Sequence, residues 1–284
     1  MRQGYLAAET GEDWMITING RTALITGSSR GIGRGIALKL AECGVKRIGV
    51  HYLKNRAAAD DTAGKLRERG AEPLLIQADV TKVDDITKMF ATVRKCFGSL
   101  DIFVSNARPD VEHFYQPVMD IPLENWQTAF DSQARALLVA AREAVKLMPD
   151  GGRIIAITYA PGGRTGTWQP WVAMGSAKAA MESLCRYFAV ALATRRITVN
   201  AVSPGATEDS VFNTLPPEVL QMLRKWAESG WVPMRRLTTP ADVGNVVALL
   251  CSEEAGFVTG QILHVDGGCS IAATDLPLEL QGAA

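Results

Sequence analysis

The stretch RTALITGSSRGIG at positions 21–33 decides the fold of this 284-residue chain. Its first six residues form a short apolar strand, and a helical pattern follows the glycines from about residue 32. Gly27 permits a tight turn, Gly31 lets the backbone approach a pyrophosphate, and Gly33 lets the helix pack closely against the sheet. The N-terminus of that helix offers free N–H groups and a positive dipole to phosphate. A glycine trio is weak alone, but its place between a strand and a helix predicts a dinucleotide site.

Short apolar strands and amphipathic helices alternate along the rest of the chain, and no repeat or low-complexity linker interrupts them. This alternation predicts one doubly wound Rossmann-type α/β domain over 15–270, a seven-stranded, mainly parallel sheet with helices on both faces. Residues 1–14 and 271–284 fall outside the pattern and are expected to be frayed N-terminal and C-terminal extensions. The predicted strands cover 21–26, 47–52, 73–77, 100–105, 153–158, 197–202 and 262–265, and the predicted helices 32–43, 55–70, 82–97, 123–148, 171–194 and 240–252.

Composition and charge argue against several classes of function. Lys plus Arg and Asp plus Glu each number 30, so the chain lacks the basic bias that binds nucleic acid or an anionic membrane. No apolar stretch is long enough to span a bilayer, and the N-terminus has no signal pattern. The 5 cysteines and 3 histidines are scattered, which favours reduced thiols in a cytoplasmic protein over disulfides or a metal site.

Further motifs follow the glycine loop at matching places in the alternation. Asp79-Val80 follow the third strand, Asn106-Ala107 the fourth and Pro204-Gly205 the sixth, while Lys178 lies on a helix. With the spacing G-x-x-x-G-x-G, these motifs resemble the short-chain dehydrogenase/reductase family over about residues 22–268. The resemblance implies that the first pair holds the adenine, the second lines the cofactor and the third surrounds the nicotinamide. The cofactor residues implied are Gly27, Ser29, Arg30, Gly31, Ile32, Gly33, Asp79, Val80, Asn106, Ala107, Lys178, Pro204, Gly205 and Thr207.

The end of the second strand bears on the choice between NAD and NADP. An NAD site places a carboxylate there for the ribose 2′-hydroxyl, whereas HYLKNR at 51–56 is followed by no acid before Asp60. Cations in this segment and in the glycine loop can instead pair with a 2′-phosphate, although those in the segment could be solvated charges at a helix start. We therefore predict NADPH as the cofactor. The residues expected to bind its 2′-phosphate are Arg30, Lys54 and Arg56, and Tyr52 and Asn55 are further expected cofactor residues at this strand end.

The catalytic tyrosine of the family is missing from this sequence. Family members place it four residues before the lysine, where this chain has Met174. A branch that resembles bacterial enoyl-thioester reductases places it seven residues before, where this chain has Trp171. Helical spacing puts both side chains on one wall with Lys178, which keeps an expected ribose-binding and electrostatic role. Indole donates hydrogen bonds but is far too weak an acid to replace a phenol.

Tyr159 is the leading candidate for the missing proton donor or carbonyl-oxygen partner. It stands at the place of the family's orienting serine, and Thr158 is the second candidate; Tyr159 could also simply pack under its loop. The family's additional asparagine is missing too. Gln133 or Arg135 could substitute for it, although Arg135 could equally be a surface charge. The usual Asn-Ala-Gly motif ends here in Arg108, which adds a large cation beside the cofactor cleft.

Loss of the usual acid favours some reductions over others. Reduction of an activated C=C bond needs stabilisation of an enolate oxygen, and reduction of a cationic C=N bond needs no proton in the hydride step. We therefore predict an NADPH-dependent reductase that acts on an activated double bond, enoyl or imine-like, of an apolar substrate. Two alternatives stay open: a ketone reductase with Tyr159 as its acid, and a catalytically degenerate NADP-binding regulator or scaffold.

The long segment over about 206–239 is expected to form a lid across the substrate crevice. Its apolar side chains, together with other aromatic residues, predict a bulky apolar substrate, although ordinary helix packing would account for about half of them. By analogy with the family alone, alanine-rich faces on the helices over 123–148 and 171–194 predict a homotetramer or homodimer. The residues that carry the substrate prediction are Tyr115, Trp168, Trp171, Phe212, Leu215, Leu220, Met222, Trp226 and Trp231.

Overall fold

The computed structural model describes residues 16, 18–159, 169–209 and 216–272. The predicted extension over 1–14, most of the extension over 271–284, and Trp168, Phe212 and Leu215 lie outside these residues. A seven-stranded sheet with the strand order β3-β2-β1-β4-β5-β6-β7 forms the centre of the fold, and every neighbouring pair is parallel. The strands are β1 Thr22–Ile25, β2 Arg47–Tyr52, β3 Glu72–Gln77, β4 Ile102–Ser105, β5 Arg153–Ile157, β6 Thr198–Pro204 and β7 Ile262–Val265.

Both faces of the sheet are buried by helices, which explains why the strands are apolar throughout rather than alternating. Successive side chains of β1 point to opposite faces of the sheet. Ala23 and Ile25 pack into the hydrophobic cluster on one face, and Leu24 packs into the cluster on the other. The strand order reverses where β1 pairs with both β2 and β4, and ligands of such folds bind beyond the carboxyl ends of the strands at that point. The α-helices are α1 Gly31–Glu42, α2 Arg56–Glu68, α3 Val83–Phe97, α4 Leu123–Phe130, α5 Ala136–Val145, α6 Val172–Leu192, α7 Pro217–Trp226 and α8 Pro240–Cys251.

Two features of the helices differ from the sequence prediction. The helix predicted over 123–148 is two helices, α4 and α5, joined by a π-helical turn at Asp131–Arg135. A hydrophobic pattern does not register one extra residue in a turn, and such π-bulges are common at functional sites. The lid segment contains α7, which the sequence prediction did not assign and none of whose residues is fully buried. Across the described part of the chain, no helix has the combination of length and apolar character that a bilayer crossing requires.

Candidate active site

A cleft of about 610 Å³ opens at the carboxyl ends of the strands, at the point where the strand order reverses. The structure brings together in its wall every residue predicted to bind the cofactor except Arg56, together with Thr158, Tyr159 and Trp171. Those in the wall are Gly27, Ser29, Arg30, Gly31, Ile32, Gly33, Tyr52, Lys54, Asn55, Asp79, Val80, Asn106, Ala107, Arg108, Thr158, Tyr159, Trp171, Lys178, Pro204, Gly205 and Thr207.

The glycine loop forms a cradle that only glycine can build. Gly27 and Gly31 have φ angles of 66° and 57°, in the left-handed region that disfavours side chains. A Cβ atom on Gly27 would lie 2.9 Å from the Cα of Ala107, and one on Gly33 would lie 2.4 Å from the carbonyl oxygen of Gly27. These approaches leave the loop backbone bare before the N-terminus of α1, which fits the pyrophosphate of a dinucleotide.

Thr26 ties the glycine loop to the end of β4. Its Oγ1 accepts hydrogen bonds from the backbone N–H groups of Asn106, at 2.9 Å, and Ala107, at 3.0 Å. The Asn106 side chain donates in return from Nδ2 to the carbonyl oxygen of Thr26, at 2.9 Å. The two walls of the cleft are therefore fixed relative to each other by residues that the resemblance assigned to cofactor binding.

His51 is a residue of the cleft wall to which the sequence analysis gave no role. Its Nδ1 accepts a 2.8 Å hydrogen bond from the backbone N–H of Gly27, and its Nε2 lies 3.0 Å from the carbonyl oxygen of Ala78. This pairing requires the neutral tautomer that carries its proton on Nε2. Burial lowers the pKa of His51 to about 4, which keeps the ring neutral. The available signal was its position near the end of β2, beside the glycine loop in a parallel sheet.

The cations at the end of β2 do not all face the cleft. Lys54 lies in the wall, where its Nζ and Oδ2 of Asp110 are 3.2 Å apart and exposed. Arg56 instead pairs with Asp60 one turn along α2, at 3.1 Å, and its guanidinium lies 5.9 Å from the centre of the Tyr52 ring. Arg30 and Lys54 are therefore the cations that this end of the cleft offers to a 2′-phosphate. Asn55 caps α2 through its side chain.

Lys178 lies at the other end of the cleft and is buried. Its Nζ donates a hydrogen bond to the carbonyl oxygen of Ile157, the last residue of β5. Burial and, second, the positive charge of Arg108 together lower the pKa of Lys178 to about 7, against an opposing effect of Glu182. Met174 and Trp171 line the cleft beside it, as the helical spacing predicted.

Tyr159 and Thr158 extend β5 into this end of the cleft. Tyr159 is partly buried, and its ring lies 5.2 Å from that of Trp171 at an interplanar angle of 59°. Burial raises the pKa of the Tyr159 phenol, so the phenol is a neutral hydrogen-bond donor at physiological pH. The Thr158 hydroxyl donates to Oε1 of Glu182 at 2.7 Å, which commits its proton away from a substrate. The sequence analysis gave Glu182 no role.

The structure separates the two candidates for the family's asparagine. Gln133 is fully buried in the π-helical turn, where its Nε2 donates to the carbonyl oxygen of Ala107 at 3.0 Å. Arg135 turns outward, pairs with Asp131 at 3.0 Å and donates to the carbonyl oxygen of Thr81. Gln133 thus supports the cleft wall, and Arg135 is a surface charge.

Most of the described aromatic residues predicted to contact substrate lie elsewhere. Trp226 and Trp231 stack on each other, with centroids 6.4 Å apart, and Met222 is exposed. Tyr115 packs behind the cleft against the cluster that contains Trp171. All 5 cysteines are free, and the described residues contain no group of three or more His, Cys, Asp or Glu side chains placed to hold a metal ion.

Comparison with known proteins decides the family. A family model described as enoyl-(acyl carrier protein) reductase matches residues 27–270, which is most of the chain. The chain belongs to the short-chain dehydrogenase/reductase family. Within that family, Met174 and Trp171 are departures at the two positions of the catalytic tyrosine.

Relatives in this family carry out more than one kind of reduction. The chain is 33% identical over 260 residues to tetrahydroxynaphthalene reductase of Pyricularia oryzae, covering 89% of this chain and 90% of that enzyme. It is 36% identical over 254 residues to 1-cyclohexenylcarbonyl-CoA reductase of Streptomyces collinus, covering 89% of this chain and 88% of that enzyme. The structure of the angucycline C-6 ketoreductase LanV with bound NADP superposes with a TM-score of 0.80 at 31% identity, covering 90% of this chain and 98% of LanV.

These comparisons confirm the predicted fold, the family and an NADP-dependent reductase. The cleft wall also fits NADP chemically, because the bare backbone of the glycine cradle and the cations Arg30 and Lys54 face the same cleft. The domain boundaries, the lid and the roles of single site residues stay predictions.

Proposed function

We propose that this reductase uses NADPH to reduce a C=C bond conjugated to a carbonyl group in an apolar organic substrate. The observation that carries the proposal is the make-up of the reactive end of the cleft. Met174 and Trp171 fill the places of the catalytic tyrosine, while the neutral phenol of Tyr159 and the amine of Lys178 line the same wall. When bound, NADPH supplies the hydride and leaves as NADP⁺.

Tyr159 is the oxygen partner in this proposal. Its phenol donates a hydrogen bond to the substrate carbonyl, and that bond strengthens as negative charge develops on the enolate oxygen. The proton that completes the reduction comes from solvent and adds to carbon, so the phenol never needs to lose its own proton. A raised pKa suits this role, because it keeps the donor neutral.

Lys178 contributes position and charge. Its hydrogen bond to Ile157 holds the amine against the end of β5, beside Thr158 and Tyr159. The family resemblance assigns this lysine to the cofactor ribose. Its partial positive charge near neutral pH also stabilises an enolate. Met174 adds an apolar surface from which water is excluded.

The same charges distinguish between the two kinds of double bond. Lys178 and Arg108 both place positive charge in this cleft. A cationic C=N substrate would be repelled by that charge, whereas an enolate would be stabilised. The enoyl reaction is therefore preferred to the imine-like one, and the name of the Streptomyces relative is consistent with it.

A ketone reductase is the second candidate, favoured by the ketoreductase LanV and the tetrahydroxynaphthalene reductase among the relatives. Tyr159 would then have to give its proton to the alkoxide. Burial raises the pKa of its phenol, which makes proton release harder, so the structure favours the first candidate. A degenerate regulator that only binds NADP is disfavoured because Lys178 and the nicotinamide-side pair Pro204-Gly205 are retained in the cleft wall. A homo-oligomer and a cytoplasmic location stay predictions.

A substrate panel tests the proposal. Purified protein is given NADPH or NADH with a cyclic enone, an enoyl thioester, a cyclic imine and a saturated ketone of similar size, and consumption is followed by cofactor absorbance and product mass. We expect faster turnover with NADPH and a saturated carbonyl product from the enone or the thioester. Rapid reduction of the saturated ketone, with the conjugated compounds untouched, would favour the second candidate.

A further inference from the structure

The guanidinium of Arg108 lies in the cleft wall and forms no ion pair within the described residues, although the charge of nearby Asp110 partly offsets its own. Within the described residues its hydrogen bond goes from Nη1 to the carbonyl oxygen of Pro109, at 2.9 Å. The neighbouring acid, Asp110, is engaged by Lys54 at 3.2 Å. An arginine side chain has five N–H donors, so this one hydrogen bond leaves most of its donor capacity unused.

The backbone beneath Arg108 is held in place. The two residues before it donate backbone hydrogen bonds to Oγ1 of Thr26, which fixes the segment that follows β4. The side chain in turn lies across the ring of Phe114, with the guanidinium carbon 6.0 Å from the ring centre. A planar cation stacked on a buried aromatic ring loses little further freedom when it binds a ligand.

This placement brings the guanidinium near the reactive end of the cleft. Phe114 meets Trp171 edge to face, with centroids 5.0 Å apart, and Trp171 meets Tyr159 at 5.2 Å. Arg108 therefore shares its supporting cluster with the proposed oxygen partner. Arg108 stands between the two ends of the cleft, since its charge interacts both with Arg30 at the glycine loop and with Lys178 at the reactive end.

The charges of the cleft wall also favour an anion beside Arg108. Burial and, second, the positive charge of Arg30 together lower the pKa of Arg108 to about 10, against an opposing effect of Asp110, so Arg108 stays protonated at neutral pH. Its charge in turn lowers the pKa of Lys178. Partly buried like charges are costly, and a bound oxyanion would offset the repulsion that remains.

We propose that Arg108 is a specificity-determining residue that binds a carboxylate carried by the substrate, in addition to the conjugated carbonyl. The inference rests on the proposed function and narrows its substrate class to apolar enones that bear an acid group. The planar guanidinium can hold both carboxylate oxygens at once, which a lysine cannot do. The phosphates of the dinucleotide present the same oxyanion chemistry, so the test must separate the two sources.

Calorimetric binding to the NADP⁺-loaded protein separates them without turnover. The probes are benzoylpropionate and its amide, which differ only in the charge of one end, and NADPH is titrated into the free protein in parallel. For Arg108→Gln we expect the Kd of the acid to rise roughly tenfold or more, with the Kd values of the amide and of NADPH changed by less than about twofold. The Kd of the acid for Arg108→Lys should lie between those of the wild-type protein and Arg108→Gln. Arg67→Gln, on the exposed face of α2, should change none of the three Kd values.

Three results would overturn the inference. The first is that the wild-type protein binds the acid and the amide with equal Kd values. The second is that Arg108→Gln raises the Kd values of both probes alike. The third is that Arg108→Gln raises mainly the Kd for NADPH, which would assign the guanidinium to the cofactor. Turnover of benzoylacrylate, the unsaturated parent of the probe, is measured separately. Selective binding of the acid without reduction of benzoylacrylate would contradict the proposed function and leave the role of Arg108 standing.

Discussion

The backbone N–H of Gly27 donates a 2.8 Å hydrogen bond to Nδ1 of His51, which fastens the phosphate-binding loop to the neighbouring strand β2. The imidazole can accept this bond only while it is neutral. A side chain of β2 thus helps to fix the shape of the glycine cradle.

The first prediction concerns acid stability. The pKa of His51 is lowered to about 4 in the folded protein, so the unfolded chain binds more protons between about pH 6.5 and 4, and stability falls as pH falls through this window. The loss from pH 7 to 5 should be about 2 kcal/mol. Urea unfolding of His51→Gln should show a smaller difference between the two pH values. His113→Gln, at a half-exposed site, is the control, and an unchanged difference in His51→Gln would contradict the assignment.

A second prediction concerns cofactor choice. Arg30→Gln and Lys54→Gln should each raise the KM for NADPH by roughly tenfold, since each removes a charge-assisted contact to the 2′-phosphate, while the KM for NADH stays constant. Arg56→Gln should have a smaller effect, because Arg56 pairs with Asp60 outside the cleft. Steady-state kinetics with both dinucleotides decides this. An equal rise in the KM for NADPH in Arg56→Gln would show that all three cations bind the phosphate.

Lys178 carries a third prediction, in which activity and stability change in opposite directions. The pKa of this buried amine is lowered to about 7, so the unfolded chain binds more protons from about pH 7 to 10.5 and stability rises with pH across that range. Lys178→Met removes the cost of a buried charge. We expect its Tm to rise at neutral pH while kcat falls at least about a hundredfold. Lys88→Met, at an exposed position on α3, should change neither quantity. A lower Tm together with full activity would contradict both roles.

Much of this arrangement was predictable from the sequence because parallel strands leave strong local signals. The apolar run before Gly27 placed the cradle, and the missing acid after Tyr52 pointed to NADP. The π-helical turn that buries Gln133 was not predictable, since one extra residue does not disturb the hydrophobic pattern. The role of His51 was also hidden, because it depends on a bond between two strands that only the parallel register brings together.

Side-chain direction was the other limit of the sequence. Arg56 and Lys54 are equivalent cations in the sequence, yet an acid one turn along α2 holds Arg56 away from the cleft. Trp226 and Trp231 were predicted to contact substrate, but they stack on each other and neither is among the residues of the cleft wall. The direction of each side chain depends on its neighbours in the fold, and the residue type alone does not reveal that direction.

Tyr159 is the residue on which the proposed reaction depends most directly. The deciding measurement is kcat for a conjugated enone at saturating NADPH, compared between the wild-type protein, Tyr159→Phe and Tyr187→Phe. Tyr187→Phe is the control, because it removes the same hydroxyl group from an exposed tyrosine on α6. We predict that Tyr159→Phe lowers kcat by roughly a hundredfold and leaves the Kd for NADPH unchanged, since only the oxygen partner is lost. Tyr187→Phe should behave as wild type. An unchanged kcat in Tyr159→Phe would contradict the account.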